Sequence, residues 1–167
     1  MTSLKRLSQG EFVALTAALF AIVAISIDAM LPALPEIAAT LSPEAPNRAQ
    51  LVITSFVFGM GLGTLFVGPL ADAFGRKPVI YAGTALYALT ALACYFATTL
   101  ETLLIARVLQ GASVAAARVV SMAIMRDLFK GREMAKIMSF VMMVFIMVPA
   151  IAPLLGQGII ALAGWHA

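Results

Sequence analysis

From Phe12 onward the chain is a succession of long apolar runs parted by short polar gaps. A helix rises about 1.5 Å per residue, so some twenty apolar residues cross roughly 30 Å of hydrocarbon. Five runs reach that length, at about 12–38, 50–73, 78–97, 101–125 and 136–163. The pattern predicts an all-α integral membrane protein with about five transmembrane helices. The gaps carry helix signals of their own. "LSPEAPNR" holds two prolines, and Asn47-x-x-Gln50 after them predicts a cap for the second span. Thr98 with Glu101 predicts the cap of the fourth, and Gly131 breaks the gap before the fifth. Between the second and third spans, Gly75 permits a tight turn and Pro78 suits the first turn of the next helix.

Composition strengthens this picture and removes alternatives. A chain of 167 residues is long enough for one soluble domain, but only 11% of it is charged, against about 25% in such domains. Its mean hydropathy is +1.02. The single cysteine, Cys94, allows no intrachain disulfide or thiol metal cluster, and the single histidine, His166, leaves little material for metal or triad chemistry. An enzyme is therefore a distant reading. The pI near 9.4 does not point to nucleic acid, because the basic residues sit in gaps between spans and not on a soluble face. Lys5 and Arg6 precede the first run as in a signal peptide, but the run is too long and continues past Asp28 without a cleavage site. It reads as a retained span.

Orientation follows from the cations. Eight of the eleven lie at the N-terminus (Lys5, Arg6) or in the second and fourth gaps (Arg76, Lys77, Arg126, Lys130, Arg132, Lys136). The opposite side has Arg48 alone. The positive-inside rule places the N-terminus in the cytoplasm and predicts a multi-pass protein of the bacterial inner membrane.

Three ionisable residues remain inside spans, where each costs a few kcal/mol and so requires a reason. Asp28 lies about 24 Å along an outward-running helix, and Arg107 lies six residues into an inward-running one. Both fall in the outer half of the bilayer, where a carboxylate and a guanidinium can share a polar cavity. Arg118 follows Arg107 by eleven residues, within about 20° of the same helix face, with Gly111 on the stripe and Gln110 beside it. The spacing predicts a cationic face lining a water-filled path, although a structural Asp28–Arg107 pair accounts for part of the same pattern. Glu36 lies near the outer interface, where solvation suffices. Gly59 and Gly63 have the GxxxG spacing of closely packed helices. Pro149 and Pro153 each delete an intrahelical hydrogen bond, so the fifth span is expected to kink or pivot there.

One stretch asks for more than topology: "GPLADAFGRKP", residues 68–78, sets Asp72 beside Arg76 and Lys77 between two apolar runs. It resembles the G-x-L-a-D-r-x-G-r-k signature of the major facilitator superfamily, with Ala73 where a basic residue is usual. "LLIARVLQGASVAA" is similar to the fourth-span R-x-x-q-G-x-g signature, with Ser113 at the second glycine. "PAIAPLLGQ" is similar to the fifth-span antiporter motif, departing at Val148, Ala152 and Gln157 but keeping Pro153 and Gly156. "DAMLPALPEIA" and "RDLF" resemble the bicyclomycin and chloramphenicol resistance group of drug:proton antiporters, with Ala29-Met30 where a Met-Tyr pair is common.

The resemblance covers nearly the whole chain and implies a proton-coupled multidrug efflux transporter working by alternating access. It implies a drug-like small-molecule substrate, a lipid environment, and no cofactor beyond the proton gradient. Asp28 becomes a candidate proton carrier tuned by Arg107. Asp72, Arg76 and Asp127, with Gly68 and Gly75, become a cytoplasmic charge latch, and Pro149, Pro153 and Gly156 a helix pivot. Arg118 beside Arg107 favours a neutral polar or anionic substrate over a cation. A facilitator has two six-span halves with the substrate between them. Residues 1–167 supply most of one half, the N-terminal one, so the chain is expected to need a C-terminal half or a partner chain and to be inactive alone. A truncated reading frame, a partial sequence and a short protein with a separate partner all fit. The competing function is a non-transporting binding or assembly subunit, which the five-span count favours.

Overall fold

A computed structural model describes residues 9–164, and among them every regular element is helical. The helices are α1 (Gln9–Asp28), α2 (Leu34–Leu41), α3 (Leu51–Phe74), α4 (Arg76–Tyr95), α5 (Leu100–Leu128) and α6 (Gly131–Ala163). Five stretches are long and apolar enough to cross a membrane: Gly10–Leu41, Pro46–Phe74, Arg76–Tyr95, Leu100–Leu128 and Gly131–Leu162. Lys5, Arg6 and His166 lie outside the described residues.

The first span is not the single helix expected over 12–38. It breaks after Asp28, passes through a turn at Ala29–Met30 and a 3₁₀ turn at Leu31–Ala33, and resumes as α2. Proline is the cause. Pro32 has no N–H for the Asp28 carbonyl and Pro35 none for that of Leu31, while Pro35 fits the first turn of a new helix. Two caps also differ from expectation. Asn47 lies within a 3₁₀ turn (Pro46–Gln50) that leads into α3 without a side-chain cap. At α5 the capping residue is Thr99, not Thr98: its hydroxyl accepts from the Thr102 N–H, and Thr102 reciprocates to the Thr99 backbone. α6 runs unbroken through Pro149 and Pro153.

α5 is the central post. Of its most apolar window 61% is buried, against 11–28% in the other spans. α3 and α4 pack along it, α1 touches it, and α1 pairs with α6. The α3–α5 seam is built from glycines: a methyl at Gly59 would strike the Val108 carbonyl, one at Gly63 the Ala112 backbone, and one at Gly111 the Phe56 carbonyl. The surface carries a belt of exposed large apolar side chains, among them Leu65, Phe66, Ile105 and Leu154. An uncovered belt of this extent suits lipid and not water. Hydroxyls within the spans bond back to their own helices, as Thr64 does to the Met60 carbonyl (2.8 Å) and Thr90 to that of Leu86 (2.9 Å).

Candidate functional site

The break in α1 creates the site. Met30 N–H turns back to the Ile27 carbonyl (3.3 Å), which leaves the Ser26 carbonyl outside the helical ladder. Arg107, on the second turn of α5, donates to that freed oxygen through Nη1 (3.3 Å) and through the same nitrogen to Gln110 Oε1 (3.1 Å). Its Nη2 meets the Met30 sulfur, and its guanidinium carbon lies 6.0 Å from the Phe56 ring centroid. Arg107 is only 7% exposed and Gln110 5%. α6 closes on the same break, since a methyl on Gly156 would strike the Ala29 carbonyl. Gly156 is therefore a contact glycine at the point where α1 stops being regular.

Around Arg107 lies a cavity of about 280 Å³ between α1, α4, α5 and α6. Ser26, Met30, Tyr87, Cys94 and Gln110 line it with Arg107. Ser26 donates to the Ile22 carbonyl (2.6 Å), so in its 2.6 Å contact with Tyr87 the phenol is the donor. The Cys94 thiol reaches Gln110 Oε1 at 3.8 Å.

Several residues singled out in the sequence sit differently. Asp28 is half-buried, does not line this cavity, and has no ion-pair partner among the described residues. The reason is angular: Ile25, Ser26 and Ala29 present one face of α1, and Asp28 lies about 110° around from its middle. Arg118 is exposed and outside the cavity, so the stripe that begins at Arg107 does not continue into one enclosed path. The two arginines share an azimuth, but α1 and α3 cover only the first. Gly111 is a seam glycine facing α3 and not a cavity wall. Gln110 does line the cavity.

At the end of the bundle bearing the basic gaps, Arg76 Nη2 lies 2.8 Å from Asp127 Oδ2 and ties the start of α4 to the end of α5. Gly75 makes the turn with φ of 89°, a value that side-chain-bearing residues rarely adopt. Asp72 is exposed and takes no part in this pair, because Ala71 is the residue of that turn facing inward. Gly68 makes no close approach.

Ser26, Tyr87 and Cys94 were not foreseen as cavity residues. The available signal was the α4 spacing Tyr87, Ala91, Cys94, an i, i+4, i+7 stripe whose polar members require a neighbour.

The Major Facilitator Superfamily profile matches residues 16–167. The Uncharacterized MFS-type transporter YdgK of Bacillus subtilis (strain 168) is 41% identical over 144 residues, covering 85% of this chain and 36% of the relative. The Bicyclomycin resistance protein homolog of Haemophilus influenzae is 40% identical over 141 residues, covering 84% and 35%. The Multidrug resistance protein MdtL of Escherichia coli O157:H7 is 39% identical over 142 residues, covering 84% and 36%. The chain thus spans about a third of the length of the curated relatives it matches.

Proposed function

The chain belongs to the Major Facilitator Superfamily, and from that footing we propose that it forms the N-terminal part of a proton-coupled multidrug efflux transporter of the bacterial inner membrane. Relatives named for bicyclomycin and multidrug resistance support a drug-like substrate. Because the chain matches about a third of their length, the opposite wall of the transport path comes from the remainder, as one continuous chain or as a partner. The cation asymmetry supports a cytoplasmic N-terminus.

The observation that carries the reading is the broken first span, with Arg107 bonded to the Ser26 carbonyl and Asp28, two residues on, as the last residue of α1. Irregular backbone at membrane depth is a device of transporters, which use it to place polar groups along a path. Asp28 is the proton carrier; here Arg107 is held by the Ser26 carbonyl and Gln110 instead, and it meets Asp28 only in another arrangement of the helices. Arg118 lines the path on its open side. Arg76 and Asp127, with Asp72 meeting the remainder of the transporter, form a latch that closes the cytoplasmic end. Pro149, Pro153 and Gly156 allow α6 to pivot against the break in α1.

The test is Asp28→Asn in the full-length protein, assayed for proton-driven drug efflux in inverted vesicles. Efflux should fall at least about ten-fold, as loss of a coupling carboxylate requires, while drug binding without a gradient persists. Undiminished proton-driven efflux would remove Asp28 from the role.

A further inference from the structure

Arg107 brings a full positive charge into an enclosure that offers it only neutral partners. These are the Ser26 carbonyl, the Gln110 amide oxygen, the Met30 sulfur and the Phe56 ring. Its Nε is buried and has no hydrogen-bond partner at all. The ion pairs of Arg48 with Glu101 and of Arg76 with Asp127 lie elsewhere. The nearest carboxylate along α1, Asp28, points off the cavity face. A buried guanidinium is ordinarily met by an acid or an anion, because an unpaired charge in a low-dielectric interior is strongly disfavoured.

Beside this charge the cavity holds about 280 Å³, several times the roughly 30 Å³ of one water. Gln110 gives its oxygen to Arg107 and Cys94, which leaves its NH₂ as a further donor. The space therefore combines a positive charge, unused donors and room, with no acid to fill it.

We propose that this cavity binds a compact monovalent anion, a free halide or the carboxylate of a small molecule, with Arg107 as its counter-charge and Gln110 as second donor. The site stands on the charge balance of the cavity and not on the coupling role of Asp28. It can hold when transport fails.

The chain supplies its own reporter, since its one cysteine lines the same cavity. The native chain in lipid nanodiscs is alkylated with N-ethylmaleimide and followed by mass. Sodium chloride and sodium formate are each compared with sodium HEPES, a bulky sulfonate that carries no carboxylate, at equal ionic strength. Chloride or formate should slow Cys94 alkylation about three-fold or more, saturably, and raise the thermal midpoint along the same curve. Arg107→Gln should abolish the effect, and Arg48→Gln, which removes a surface cation at the same end, should keep it. Should Arg107→Gln fail to fold, the paired saturation curves of the native chain still decide. Protection by chloride identifies a free-ion site, and protection by formate alone a carboxylate site; either supports the proposal. Equal alkylation rates and an unchanged midpoint in all three salts would overturn it, as would an anion effect that survives Arg107→Gln.

Discussion

At the scale of single residues, the seam between α3 and α5 depends on what is missing from its side chains. A Cβ at Gly63 would lie 2.8 Å from Ala112 Cα, against backbone that cannot rotate away. Gly61, two residues earlier, has nothing within 4 Å of the same added atom. Gly63→Leu should therefore destabilise by about 1–3 kcal/mol through overpacking, while Gly61→Leu is close to neutral. Thermal unfolding of both variants in one detergent checks the pair, and equal midpoints would contradict the seam. The GxxxG spacing made Gly59 and Gly63 legible in the sequence, but Gly111 read as a cavity wall. Spacing identifies a small residue on a face; it does not say which neighbour that face meets.

Among the helices, chain signals located each span but missed details decided by backbone hydrogen bonding. "MLPALP" contains both prolines that break the first span. By hydropathy it is one apolar run; the two missing N–H donors divide it. The freed Ser26 carbonyl, on which the placement of Arg107 rests, follows from that break and has no hydropathy signal. At α5 the cap was read one residue early, because Thr98 and Thr99 are chemically identical and only the extended backbone at Thr99 (φ −127°, ψ 154°) makes one of them the cap. Thr99→Ala should cost about 1 kcal/mol of stability, and Thr98→Ala almost none. Denaturant midpoints of the two variants distinguish them, and a larger loss at Thr98 would make Thr98 the cap.

For the whole molecule, the cation asymmetry makes a prediction about sidedness. In a Cys94→Ser background, Glu44→Cys lies in the gap after α2 and Arg132→Cys at the start of α6. In intact cells an impermeant maleimide should label the first, and the second only after permeabilisation. The opposite labelling would invert the orientation. What the sequence determined by itself was the solvent, the number of crossings and the motifs at their ends. Those depend on run length, charge count and local turn chemistry, which act over a few residues or sum over the chain. Tertiary structure alone decided which intramembrane charges are enclosed. Arg107 and Arg118 share an azimuth on one helix, yet α1 and α3 bury the first and leave the second exposed. Asp28 shares a depth with Arg107 but lies about 110° around α1 from the cavity face. Depth and azimuth are properties of one helix, whereas burial depends on a second helix and where it bends.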